Sequence, residues 1–180
     1  APDYETKSSY TATVTVSDGT NSSTQAITVN INNLNDNAPN LTSSSTFTAD
    51  ENQTAIGTVT ATDPEGDTIT FSISGSEINI NSSSGVLTFA SAPDYETKTS
   101  YTATVTVSDG TNSATQNITV NINNLNDNAP SITSNTTFTS DENQTAIGTV
   151  TATDIDGNAL AFSISGSEIN INASSLSLIH

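Results

Sequence analysis

The chain has 180 residues, 32% hydrophobic and 5% aromatic, with 19 Asp plus Glu against 2 Lys plus Arg and a net charge of −17. That balance excludes nucleic acid, whose phosphates need clustered cations, and direct membrane insertion or docking on an anionic bilayer. With no cysteine there is no disulfide framework, and no apolar run reaches membrane-spanning length.

A repeat organises everything else. Ala1-Pro2-Asp3-Tyr4-Glu5-Thr6-Lys7 returns unchanged at Ala92 to Lys98, so Asp94 minus Asp3 gives a period of 91 residues. Phe47 to Asp63 returns as Phe138 to Asp154, with only Ala49 becoming Ser140. The period divides the chain into the end of one repeat at 1–37, a complete repeat at 38–128 and the start of a third at 129–180. A repeat of about 90 residues holds one two-sheet core and little more.

In chain order, residues 1–37 carry only the last two strands of a repeat, F and G. The complete repeat supplies seven: A near Leu41 to Thr48, B near Ala55 to Thr62, C near Thr68 to Ser74, D near Glu77 to Asn81, E near Gly85 to Ala90, F near Ser100 to Ser108 and G near Ala114 to Asn123. In Tyr101-Thr102-Ala103-Thr104-Val105-Thr106-Val107 every second residue is apolar, which is the pattern of a half-buried antiparallel strand. Turn residues separate the strands at Pro64-Glu65-Gly66-Asp67, Ser82-Ser83-Ser84-Gly85 and Asp109-Gly110-Thr111-Asn112. The third repeat carries A to D, and Gly85-Val86-Leu87-Thr88-Phe89 there becomes Leu176-Ser177-Leu178-Ile179-His180. Almost no helix is expected, since helix-period stripes are missing. The fold class is all-β: tandem immunoglobulin-like, seven-stranded Greek-key sandwiches, one complete and two partial. The partial repeats are expected to expose sheet edges and apolar faces. The expected inward set is Val59, Ala61, Ile69, Phe71, Ile73, Leu87, Phe89, Tyr101, Val105, Val107, Ile118, Val120 and Ile122.

Acidic residues concentrate at strand ends and in the connector. The motifs are Asp50-Glu51-Asn52, Asp63-Pro64-Glu65, Asp94-Tyr95-Glu96, Ser108-Asp109-Gly110 and Leu125-Asn126-Asp127-Asn128-Ala129-Pro130, with partners one period away. Several like charges at one pole of a sandwich repel, and a hard divalent cation reverses the sign. Calcium takes six to eight oxygens from carboxylates, Asn side chains and backbone carbonyls, which this connector supplies. Turn preference alone accounts for Asp109-Gly110 or Asp156-Gly157 taken singly. An EF-hand starting at Asp154 fails, because Ala159 and Ser165 stand where Gly and Glu are required.

The ordered set xEx, DxD or DxE, xDx and a closing N-D-N-x-P resembles the cadherin repeat, in the style of large bacterial surface adhesins. The resemblance implies Ca²⁺ as cofactor, bound between successive domains. At the first junction it implies Asp3 and Glu5, Asn35 and Asp36, the backbone of Leu34 and Asn37, and Asp63, Glu65 and Asp109. At the second it implies Glu51, Asp94 and Glu96, Asn126 and Asp127, the backbone of Leu125 and Asn128, and Asp154 and Asp156. Two departures stand out: Asn33 and Asn124 open the connector where the family often has Asp, and Glu65 replaces the second Asp of DxD. There is no tryptophan for the strand-swap adhesion of some vertebrate relatives.

These features imply an extracellular, membrane-anchored cell-surface adhesion segment, stiffened by calcium and engaged in homophilic adhesion. The partners are calcium ions and, beyond them, another cadherin-like protein or a cell-surface glycan. The alternatives are passive spacer repeats that hold a distal domain away from the cell, or a carbohydrate-binding module, which the low aromatic content disfavours. Anchor and export signals are expected elsewhere in a longer precursor. No enzyme is expected and no catalytic residue is assigned. There is no cysteine, no G-x-S-x-G and no histidine except the terminal His180, and the paired carboxylates fall where cation ligands fall.

Overall fold

The computed structural model describes residues 1–166, 168–172 and 176–179, and every regular element among them is a β-strand. His180 lies outside the described residues. The chain divides into two compact units, Ala1–Pro93 with Ser100–Ile122, and Asp94–Thr99 with Asn123–His180.

The first unit opens with strands β1 (Ser9–Ser17) and β2 (Ser22–Asn30), an antiparallel hairpin in register from Ser9↔Asn30 to Ser17↔Ser22. Asp18 closes the turn: its Oδ1 accepts from the backbone N–H of Thr20 at 2.8 Å and of Asn21 at 2.7 Å. As expected of a partial repeat, the hairpin exposes apolar side chains, with Val14 at 50% and Val16 at 67%.

The complete repeat follows as β3 (Asn40–Leu41), β4 (Thr46–Asp50), β5 (Ala55–Thr58), β6 (Ala61–Thr62), β7 (Thr70–Ile73), β8 (Ile78–Ile80), β9 (Val86–Phe89), β10 (Ser100–Ser108) and β11 (Ser113–Asn123). One sheet runs β4-β11-β10-β7, a second β5-β9-β8, and β3 pairs with β6. Strand A therefore breaks in two. Thr42 donates its N–H to the Thr60 carbonyl at 2.8 Å on one side of the break, and the Ser45 carbonyl accepts from Thr119 at 2.8 Å on the other. Strand B also breaks, after a register shift between Ala55 and Gly57.

The core lies between the two sheets. Val59, Ile78, Leu87, Phe89, Val105, Val107, Ile118, Val120 and Ile122 are all buried, and Phe89 on β9 meets Tyr101 on β10 edge-on, ring centroids 5.0 Å apart. Every residue of the expected inward set is buried or half-buried. Fully burying a side chain of this size stabilises by about 1.5–3 kcal/mol, so this cluster dominates the repeat's stability. Gly85 takes φ +70°, and a Cβ there would collide with the Val59 carbonyl oxygen, so glycine is required at this turn.

The second unit holds β12 (Ser131–Ile132), β13 (Ala146–Thr149), β14 (Ala152–Thr153), β15 (Asn170–Asn172) and β16 (Ser177–Ile179). β12 pairs with β14, and β13-β16-β15 form a sheet with the same register shift as the complete repeat. Three differences from expectation appear, the first being that the second half of strand A, residues 137–141, carries no strand. β16 forms despite the diverged sequence, because its partners β13 and β15 are present and Leu178, 6% exposed, takes the place Leu87 has one period earlier. Strand C does not form: residues 161–164, the counterparts of β7, carry no strand. Their partner in the complete repeat is β10, and the third repeat has no counterpart of it within these 180 residues.

Candidate metal centre

The connector that follows β2 meets the strand-end turns of the complete repeat. Asp63 anchors the turn after β6: its Oδ1 accepts from the N–H of Glu65 and of Asp67, both at 3.0 Å. Asp109 does the same after β10, accepting from Thr111 and Asn112 at 2.6 Å each. One carboxylate oxygen is thus consumed in fixing each turn. The other oxygen, Oδ2 of Asp63 and of Asp109, is buried without a hydrogen-bond partner, as is Oε2 of Glu65. Buried carboxylate oxygens normally find donors, and orphans of this kind mark a place for a ligand.

Oxygens of Glu5, Asp36 and Glu65 all lie within 4.8 Å of one another. Amides hold this like-charged group in place. Asn37 Nδ2 donates to Asp36 Oδ1 at 3.0 Å and to Glu65 Oε1, and Asn33 Nδ2 donates to the Glu65 carbonyl at 3.4 Å. Asn112 Nδ2 reaches Asn35 Oδ1 at 3.0 Å and the Asn37 carbonyl at 3.2 Å, which orients two connector oxygens. Glu5 is pushed above the usual carboxylate range. Its own backbone N–H lowers its pKa, but desolvation, the hydrogen bond with Asp3 and the charges of Glu65 and Asp3 outweigh that and leave it raised.

The second unit repeats the arrangement. Glu96, Asp127 and Asp156 converge within 4.8 Å, each 91 residues beyond Glu5, Asp36 and Glu65. Asn128 Nδ2 donates to Asp127 Oδ1 at 2.6 Å and Asp156 Oδ1 at 3.0 Å, and Asn124 Nδ2 donates to the Asp156 carbonyl at 3.0 Å. The Asn128 side-chain donor holds Asp156 below the usual carboxylate range, against desolvation. The two departures noted in the sequence thus have defined places. Asn33 and Asn124 tie the connector to the following turn, and Glu65 and Asp156 occupy one position at different reach.

The remaining expected ligands sit close by in sequence with different local roles. Asp3 caps its own turn: its Oδ1 accepts from Glu5 N–H at 3.0 Å and its Oδ2 from Thr6 Oγ1 at 2.9 Å, and the Thr6 hydroxyl leads in lowering its pKa. Asp94 accepts from Thr97 in the same way, its Oδ2 from Oγ1 at 2.9 Å. Asp154 Oδ1 accepts from Asn158 N–H at 3.2 Å. The Leu34 carbonyl accepts from Asp36 N–H at 3.0 Å, while Leu125 and Asn126 are exposed on the connector. Glu51 is 2% exposed at the end of β4 and is followed by Asn52 at φ 65°, a left-handed turn that asparagine tolerates. Asp3, Asp109 and Asp154 fall outside the three-carboxylate groups among the described residues.

Sequence reasoning missed Asp67, whose carboxylate joins Asp63 and Glu65 within 4.8 Å. The run Asp63-Pro64-Glu65-Gly66-Asp67 contained the signal, since a tight turn brings Asp67 back to Asp63, whose Oδ1 accepts its N–H. Chemically, the donor set is all oxygen, part carboxylate and part amide or carbonyl, which suits a hard divalent cation and no soft metal.

The family model of the cadherin domain matches residues 45–123. Among curated proteins nothing matches. Solved structures do: a protocadherin gammaB7 EC3-6 fragment described as a cis-dimer superposes with TM-score 0.80 at 24% identity, covering 98% of this chain and 52% of its own. Mouse cadherin-23 EC22-24 gives TM-score 0.72 at 22% identity, covering 99% and 65%, and the human desmocollin-1 ectodomain gives 0.71 at 23%, covering 99% and 40%. The chain therefore spans about half of the protocadherin fragment it superposes on. Residues 45–123, most of the complete repeat, thus match the cadherin domain, and residues of that repeat return one period away on both sides, while the solved structures share its fold.

Proposed function

We propose that this chain is a calcium-binding segment of an extracellular cell-surface adhesion protein, in which Ca²⁺ stiffens the junctions between successive repeats. The observation that carries the reading is the trio of buried, unpartnered oxygens on Asp63, Glu65 and Asp109 beside the converging Glu5–Asp36–Glu65 carboxylates. In the first junction the ion is held by Glu5, Asp36, Asp63, Glu65 and Asp109, with Asp3, Asn35 and the carbonyls of Leu34 and Asn37 alongside. In the second the corresponding holders are Glu96, Asp127 and Asp156, with Asp94, Asn126, Asp154 and the carbonyls of Leu125 and Asn128. Calcium supplies positive charge that neutralises these groups. The chain's own residues supply the cradle: Asx turns aim one carboxylate oxygen inward, and Asn33, Asn37 and Asn112 lock connector to turn.

Calorimetric titration with CaCl₂ tests the reading. Uptake is expected in the roughly 10⁻⁴–10⁻³ M range of extracellular modules. No heat and no competition with EDTA up to millimolar calcium would reject it. A second reading, spacer repeats that only extend a distal domain, draws on the nine-residue identity of β1 and β10, because reach needs no distinct recognition surfaces. Beads coated with the chain separate the two: calcium-dependent aggregation supports adhesion, and calcium uptake without aggregation supports the spacer.

A further inference from the structure

We propose that the turn after β6 takes calcium more tightly than its counterpart after β14, and that Asp67 sets the difference. The inference rests on the calcium reading above. The two turns, Asp63-Pro64-Glu65-Gly66-Asp67 and Asp154-Ile155-Asp156-Gly157-Asn158, stand one period apart and share one backbone. Gly66 has φ 82° and Gly157 φ 79°. Gly66 N–H donates to the Asp63 carbonyl at 3.3 Å, and Gly157 N–H to the Asp154 carbonyl at 3.4 Å. The last residue closes each turn alike: Asp67 N–H donates to Asp63 Oδ1 at 3.0 Å, and Asn158 N–H to Asp154 Oδ1 at 3.2 Å.

Since Asn158 closes the same turn, the turn itself does not need the carboxylate of Asp67. That carboxylate lies within 4.8 Å of those of Asp63 and Glu65, whereas the neutral Asn158 stands beside Asp154 and Asp156. Two oxygens of the first group, Asp63 Oδ2 and Glu65 Oε2, are buried with no hydrogen-bond partner. Without a cation three such charges repel, and with one the third adds attraction. Calcium sites are graded by the number of charged ligands and by rigidity. Both favour the first turn, because Pro64 fixes φ where Ile155, 68% exposed, leaves the backbone freer. Glu65 also belongs to the Glu5–Asp36–Glu65 group, so the charge of Asp67 bears on the first junction as a whole. A carboxylate about 5 Å from a dication in water changes its affinity by about tenfold. As calcium rises, the first turn fills before the second, and the repeats stiffen in sequence rather than together.

A CaCl₂ titration of the full chain followed by amide NMR tests this, with Gly66 and Gly157 reporting one turn each. The wild type is compared with Asp67→Asn and Asn158→Asp, which exchange residues that the two turns already carry. In Asp67→Asn the Gly66 midpoint is expected to rise about tenfold while Gly157 keeps its own. In Asn158→Asp the Gly157 midpoint is expected to fall about tenfold while Gly66 keeps its own. A midpoint left in place by either exchange overturns the inference and leaves the calcium reading standing, since the glycines still respond. Glycines that respond to calcium in none of the three chains overturn that reading and this inference with it.

Discussion

β1 and β10 contain the same nine residues, and the structure gives them the same hairpin register and opposite surroundings. Alternation and the Asp-Gly turn, Asp18-Gly19 in one and Asp109-Gly110 in the other, set the register. Burial is set by what lies across the sheet and at its edge. In β10 the valines face β9 and its neighbours and are sealed; in β1 they meet water. Local sequence therefore specifies pairing, while stability comes from the second sheet, in line with the marginal stability of isolated hairpins.

The sharpest break of this comparison is a charge on the shared face. Val107→Asp places a carboxylate where nothing can solvate it and should cost about 3–5 kcal/mol or more, enough to unfold the complete repeat, whereas Val16→Asp should change monomer stability by about 0.5 kcal/mol or less. Urea unfolding followed by circular dichroism measures both. Equal costs would mean that β1 is as well covered as β10. Next in size, Glu65→Gln should weaken calcium binding at the first junction about tenfold, equivalent to about 1.4 kcal/mol, with uptake at the Glu96–Asp127–Asp156 cluster kept. Calorimetry resolves the two, and an unchanged titration would remove Glu65 from the ligand set.

A smaller effect concerns the turn before β9 and β16. Leu176 takes φ 55° where Gly85 takes φ 70°, so the third repeat keeps a left-handed residue without the glycine that suits it. Leu176→Gly should relieve about 1–2 kcal/mol of backbone strain, offset by the lost side-chain contacts. Hydrogen exchange at Val150, whose N–H donates to the Leu176 carbonyl at 3.0 Å, should then slow. Faster exchange would show that the leucine side chain matters more than the backbone.

The smallest effect is in acid. Backbone donors from Asn21 and Thr20 hold Asp18 below the usual carboxylate range, and at Asp109 the Asn112 and Thr111 donors outweigh an opposing desolvation. A carboxylate with a depressed folded pKa stabilises above its unfolded pKa, and that contribution is lost as pH falls through the folded value. In calcium-free buffer the amide resonances of Thr20, Asn21, Thr111 and Asn112 should shift together below the ordinary aspartate range. Titration of either turn at the ordinary value would contradict the hydrogen bonds assigned to it.

Much of this was legible in the residues. Alternation located strand F at Ser100–Ser108 and identified an inward set whose members are all covered to some degree. The break in strand A was not legible, because Ser43, Ser44 and Ser45 have no pattern of their own. They mark a change of partner from β6 to β11, which is a tertiary event. The missing strand at 161–164 was illegible for the same reason, since its sequence is that of a strand and only its neighbour is absent. At the site, acidic tripeptides identified Glu5, Asp36 and Glu65 by type, but not the amides of Asn33, Asn37 and Asn112 that tie them. Side-chain amides leave no periodic trace, and their reach is decided only once connector and turn are adjacent.

The edge-on contact of Tyr101 with Phe89 gives the complete repeat an optical handle. The chain has four tyrosines and no tryptophan, so its ultraviolet emission is that of tyrosine alone, undrained by energy transfer to an indole. Tyr10, one period earlier, lies under the Lys7 ammonium at 4.5 Å and is 39% exposed. A neutral quencher such as acrylamide, which the chain's negative field does not repel, reaches exposed Tyr10 more readily than half-buried Tyr101.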